Sequence, residues 1–132
     1  MATNPLRVFL VEDVKHLQEV LGELLTSIGN FVVAGSAGSE AEAIRWLDQH
    51  ADDWDLLVAD LILDQGTGLG VLAKCRHRPP GRKVVVLSDY VTPGIHRHCL
   101  ALGADAALPK SDMPAFLDYC RELNSDGPVR EA

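Results

Sequence analysis

No apolar run in this sequence approaches the roughly 20 residues that a membrane-spanning helix needs. The amino terminus, MATNPLR, lacks the basic region and long apolar segment of a secretory signal. Cysteine is scarce: Cys75, Cys99 and Cys120 make an odd number with no CxxC pair, which points to buried, reduced thiols. Basic charge is also in deficit, with a formal net charge of −7 and a pI of about 5.0. A free-standing nucleic-acid binder usually presents a basic face. Here the one dense basic stretch is KCRHRPPGRK, residues 74 to 83, which reads as charge complementing a helix carboxyl end. On these absences the chain is expected to be cytoplasmic, with no direct contact to nucleic acid or membrane.

What remains is an ordinary globular composition, 47% hydrophobic and 23% charged, over 132 residues, which suits a single domain. Five apolar runs of strand length occur at 6–11, 31–35, 55–59, 83–87 and 105–108. Several are continuous, as expected of strands covered on both faces. Helical patterns separate them. Leu17, Val20, Leu21, Leu24, Leu25 and Ile28 form one stripe over 14–28. Ser39 and Glu42 make a capping box for a helix over 40–50. A shorter helix is expected over 68–77. Thr92 and Pro93 open another, running to about Leu102. The last, about 112–123, carries Met113, Phe116, Leu117, Cys120 and Leu123 on one face. The tail NSDGPVREA is polar and expected to fray.

Strict βα alternation implies a parallel sheet with helices on both faces, because each crossover is right-handed. Five strands favour an α/β, flavodoxin-like, doubly wound sheet of order 2-1-3-4-5. In that order the ligand crevice lies beyond the carboxyl ends of the first and third strands. The first strand ends in Glu12 and Asp13, and the third, LLVAD, ends in Asp60. Two unit charges about 4 Å apart repel by about 4 kcal/mol at an effective dielectric of 20. Three converging carboxylates therefore require cations. Lys110, after the fifth strand, can supply one. All-oxygen ligands suit Mg²⁺ or Mn²⁺ for the rest. Ser88 closes the fourth strand and can donate a hydrogen bond to an anion held at Asp60. The set suits phosphoryl transfer to an aspartate. The blander alternative is that Glu12 and Asp13 cap the first helix while Asp60 is an incidental loop acid.

At VFLVEDV, LLVADLILDQGTGLGVL, VVVLSDY and GADAALPKS the chain resembles the receiver domain of bacterial two-component response regulators, of the CheY-like type. The likeness covers about residues 6–123, with 124–132 as a polar tail of a single receiver domain spanning 1–132. The resemblance implies that Asp60 accepts a phosphoryl group from a sensor histidine kinase or phosphotransfer protein. It implies that Asp13 ligates Mg²⁺ directly, that Glu12 acts through water, and that the backbone carbonyl of Ile62 is a third protein ligand. Ser88 and Lys110 take the hydroxyl and lysine roles. Such a protein is no enzyme toward a separate substrate, although it assists its own phosphorylation and dephosphorylation. It signals by docking to a downstream protein partner or by relay, and the face of the fourth helix, fifth strand and fifth helix is where partners or a homodimer would meet.

Three positions depart from the family pattern. Ala107 stands where a switching aromatic is usual, with Tyr90 a candidate substitute. Ser111 follows the lysine where proline is usual, and Pro109 precedes it, so the Lys110–Ser111 bond is expected to be trans or strained. Asp89 follows the hydroxyl where a small residue is usual, and would disfavour an anion unless it faces solvent. These departures keep open a binding module whose switching is lost, and the family leaves open the amino-terminal receiver of a longer DNA-binding regulator. A small hydrolase using Asp60 as a transient nucleophile is disfavoured, because VEDVK lacks the DxD pair that dehalogenase-like enzymes require. GTGLG, residues 66–70, follows the third strand and reads as a flexible loop opening the third helix, not a dinucleotide fingerprint. His96 and His98, two apart on a helix, face different ways and do not share a metal. Trp46 and Trp54 read as packing residues.

Overall fold

A computed structural model describes residues 4–126 of the chain. Ten elements alternate: β1 (Leu6–Val11), α1 (Lys15–Ile28), β2 (Phe31–Ala37), α2 (Glu40–Gln49), β3 (Leu56–Ala59), α3 (Gly68–Lys74), β4 (Lys83–Ser88), α4 (Pro93–Ala101), β5 (Ala106–Pro109) and α5 (Met113–Asp126). All strand pairs are parallel, in the order β2-β1-β3-β4-β5. This is the flavodoxin-like sheet expected from the alternation. No helix among the described residues is long and apolar enough to cross a membrane.

Alternate residues of each strand face opposite layers, and the core divides accordingly. Phe9, Val11, Leu57, Ala59, Val84 and Val86 point toward α2, α3 and α4, where they meet Leu47, Val71, Leu72 and Cys99. Leu6, Val8, Leu10, Leu56, Val58 and Val85 point toward α1 and α5, where they meet Leu21, Leu25, Phe116 and Cys120. The three inner strands are buried on both faces, which is why they read as unbroken apolar runs. All three cysteines are free and buried. Burial pushes the Cys75 thiol up to about 11 and the Cys120 thiol up to about 12.

The capping signals appear in the structure. Ser39 accepts a hydrogen bond from the Glu42 amide at 3.2 Å, and Thr92 accepts from the Ile95 amide at 3.2 Å. Glu42 returns its carboxylate to the Gly38 amide rather than to that of Ser39. The tryptophans pack as expected: Trp54 is buried, and Trp46 stacks on Phe9 with ring centroids 4.1 Å apart. Gly35 makes room for that stack, since a Cβ there would lie 2.4 Å from the indole nitrogen.

Several boundaries shift. β2 continues past Gly35 through Ser36 to Ala37, because Leu10 and Val11 pair with those residues. α3 ends at Lys74 with Cys75 as its cap, short of residue 77. α5 runs on to Asp126, so the expected polar tail begins within the helix. Asn124 is held there by an amide clasp, accepting from the Asn30 amide at 2.9 Å and donating to the Asn30 carbonyl at 3.0 Å. The rest of that tail lies outside the described residues. Every described peptide bond is trans, that between Lys110 and Ser111 included.

Candidate functional site

Three residues of the site sit just past the ends of their strands yet are still fixed by sheet hydrogen bonds. The Glu12 amide donates to the Ala37 carbonyl at 2.9 Å, extending the β1–β2 ladder. The Asp60 amide donates to Val11 at 3.0 Å, extending β1–β3. The Lys110 amide donates to Ser88 at 3.0 Å, extending β4–β5. Rigid backbone thus delivers the acids and the lysine to one edge, at the point where strand order reverses.

Oxygen atoms of Glu12, Asp13 and Asp60 lie within 4.8 Å of one another. Glu12 is 2% exposed and Asp60 8%. The Lys110 ammonium bridges them, 2.7 Å from Glu12 Oε1 and 2.7 Å from Asp60 Oδ2. The second Asp60 oxygen accepts from the Ile62 amide at 3.2 Å. Asp13 is more open and accepts from the Asp64 amide at 3.2 Å. The capping alternative for the two acids fails. The N-cap of α1 is Val14, with no side-chain cap, and Glu12 reaches the Val14 amide only at 3.4 Å.

The electrostatics divide the acidic pair. Burial raises the Glu12 carboxyl above its usual range, against the lowering effect of Lys110, and both Asp13 and Asp60 add to the rise. Asp13 moves the other way, chiefly because its hydrogen bond with Glu12 favours its charged form. For Lys110, burial opposes the charge, but hydrogen bonds to Asp60 and Glu12 outweigh it and raise the ammonium.

Ser88 is fully buried at the end of β4, where its hydroxyl accepts from the Tyr90 amide at 3.4 Å. As an acceptor it keeps its O–H available to donate. Asp89 is exposed, so it does not add a buried acid to the pocket. The Tyr90 ring is 59% exposed. Ala107 is buried in the layer of α4, with Cys99 and Ala104 in the same core cluster, and offers only a methyl group there. The Ile62 side chain is exposed, and its residue bridges to Thr67 across a narrow loop.

Sequence reasoning missed Gln18, whose amide donates to the Glu12 carbonyl and, at 3.5 Å, to the Ala37 carbonyl. It anchors the strand end that presents the acids. Its spacing from Val14 puts it one turn into α1, off the apolar stripe, and no local pattern distinguishes it from an exposed polar residue.

The basic stretch 74–83 is engaged within the fold. Lys74 pairs with Asp48, Arg82 with Asp52, and Arg78 with Asp105 at 2.6 Å. Arg78 also donates to the carbonyls of Cys75 and Gly103, each at 2.9 Å, and so closes the ends of α3 and α4. His98 is exposed and His96 half-buried on α4.

The response regulator receiver domain model matches residues 8–119. The transcriptional regulatory protein GlrR of Escherichia coli is 34% identical over 90 residues, 68% of this chain and 19% of that protein. The chain thus spans less than a fifth of that relative's length. Among solved structures, a LuxR-family two-component response regulator from Aurantimonas superposes with a TM-score of 0.80 at 19% identity, over 95% of this chain and 89% of that one. The CheX–CheY–BeF3–Mg²⁺ complex of Borrelia burgdorferi matches with a TM-score of 0.74 at 21% identity, over 80% of this chain and 78% of that one.

Proposed function

The chain belongs to the response regulator receiver domain family, and from that premise we propose that Asp60 accepts a phosphoryl group from a phosphohistidine on a sensor kinase or phosphotransfer protein. The observation that carries this reading is the Lys110 ammonium bridging Glu12 and Asp60, 2.7 Å from each, inside a cluster of three carboxylates. A half-buried lysine shared by two buried acids in a sheet crevice, with a third acid beside them, is an arrangement for charge arriving and leaving.

In the reaction, a carboxylate oxygen of Asp60 attacks phosphorus in line. An O–P bond forms as the donor's N–P bond breaks, and the donor imidazole leaves. The product is an acyl phosphate. Charge on the equatorial oxygens must be met by donors already in place. Lys110 turns from the carboxylate it now holds to a phosphoryl oxygen, and Ser88 donates its hydroxyl to another. The donor set of Glu12, Asp13 and Asp60 is all oxygen and fits Mg²⁺ or Mn²⁺. Asp13 and Asp60 would hold the ion directly with the Ile62 carbonyl, and Glu12 through water. The bound ion supplies charge neutralisation on the phosphoryl oxygens. The chain acts on its own side chain, assisting gain and loss of the phosphoryl group, and passes the signal by altered binding to a protein partner.

Purified protein given Mg²⁺ and acetyl phosphate should gain one phosphoryl group by intact mass, and Asp60→Asn should gain none. No uptake from any phosphodonor overturns the reading. Ala107 favours a second one, a receiver fold that binds its partner without switching, because no ring is present there to move. In that case partner affinity is equal for the phosphorylated protein and Asp60→Asn.

A further inference from the structure

Three glycines, Gly66, Gly68 and Gly70, punctuate the segment that leads from Asp60 into α3, and each is closely approached. A Cβ on Gly68 would lie 2.1 Å from the Asp60 carbonyl oxygen, so that glycine lets the loop fold back on the strand end. The other two face a single side chain. A Cβ on Gly66 would lie 2.4 Å from Glu40 Cβ, and a Cβ on Gly70 would lie 2.3 Å from Glu40 Oε2. Gly66 also has a φ of +87°. Together they form a slot, and Glu40, from the first turn of α2, fills it. Its Oε1 accepts from the Thr67 amide at 2.8 Å, and its own amide donates to the Gln65 carbonyl at 3.1 Å. An acid in a first helical turn ordinarily serves only its own helix dipole. Glu40 is turned instead onto the loop and the start of α3.

The loop 61–67 has two other ties in reach of the site, and both end on candidate site carboxylates. The Ile62 amide donates to Asp60 Oδ1 and the Asp64 amide to Asp13 Oδ2, each at 3.2 Å. These carboxylates belong to the cluster that could hold a cation. Glu40 is outside that set: its carboxylate holds the loop at Thr67, and its backbone amide at Gln65, without using any oxygen of Asp13 or Asp60. We propose that Glu40 is a positioning residue for phosphoryl acceptance, holding the loop that carries Ile62 in register over the acidic pocket. This inference rests on Asp60 being the acceptor.

The test compares Glu40→Ala, Glu40→Gln and Gly70→Ala in two assays. The first is amide hydrogen exchange at Thr67 without Mg²⁺ or phosphodonor. The second is the rate of phosphorylation by acetyl phosphate with Mg²⁺. Glu40→Ala should speed Thr67 exchange and slow phosphorylation by about tenfold, the scale of a small misplacement of reacting groups. Glu40→Gln keeps the length and an acceptor oxygen, and should retain most of both. Gly70→Ala should displace the Glu40 carboxylate and reproduce the slow rate. Alanine is the better helix former, so a loss there does not come from a weakened helix. The proposal is overturned if Thr67 exchange is unchanged in Glu40→Ala, if Glu40→Ala or Gly70→Ala is phosphorylated at the wild-type rate, or if Glu40→Gln is as slow as Glu40→Ala. Wild-type protein that takes up no phosphoryl group would defeat the acceptor reading instead, while the exchange comparison still decides whether Glu40 tethers the loop.

Discussion

Replacing Lys110 by alanine removes the ammonium bonded to both Glu12 and Asp60. At 2.7 Å each attraction is about 6 kcal/mol at an effective dielectric of 20. Desolvation of the partners cancels much of that. Removing one member of a buried pair costs about 3–5 kcal/mol, because the partner is left charged and uncompensated. The lysine side chain is 17% exposed, so water can take part of its place. We therefore expect the lower end, about 3 kcal/mol, or a fall in melting temperature of about 10 °C for a domain of this size. The pH dependence has a definite sign. The folded Glu12 carboxyl is already raised above 4.5 by burial, and loss of Lys110 raises it further. Between the unfolded and folded values the native state holds the extra proton, so stability falls as pH rises through that window. The deficit of Lys110→Ala should be largest at neutral pH and shrink on acidification toward 4.5. In the wild type, the raised Lys110 contributes fully below 10.5 and is lost only as pH rises through its folded value. Thermal denaturation by circular dichroism across this range reads both effects. Equal melting temperatures at neutral pH, or a deficit that widens on acidification, would refute the bridging role.

Two further outcomes are expected. Cys75, Cys99 and Cys120 are buried, and burial raises all three thiols. They should resist a chromogenic disulfide reagent at neutral pH and all react once the chain is denatured. Phe116 is fully buried against β-strand residues of the α1–α5 layer, so Phe116→Ala should cost about 3–5 kcal/mol by urea denaturation.

The sheet and its order were readable because strand runs buried on both faces leave a continuous apolar signature, and because the alternation of elements fixes the crossovers. The acidic edge followed from Glu12, Asp13 and Asp60 being at strand ends. Errors lie where tertiary contacts override local preference. Ser36 and Ala37 lie beyond the strand run that ends at Gly35, yet pairing with Leu10 and Val11 carries β2 through them. Residues from Asn124 onward look like a frayed tail, yet the bonds to Asn30, 94 positions away, secure the helix there. GTGLG opens α3 as its position after the third strand suggests, but no local pattern shows that its outer glycines receive a side chain from Glu40, far back in the sequence. No periodicity relates such positions, and only the folded chain brings them together.

Identifying the modified residue tests the account most directly. Protein treated with acetyl phosphate and Mg²⁺ is reduced with borohydride, which converts an aspartyl phosphate to homoserine, and is then mapped by peptide mass spectrometry. Homoserine in place of Asp60, and absent from untreated protein, is the expected result. Modification confined to another residue, or none at all in folded protein, would contradict it.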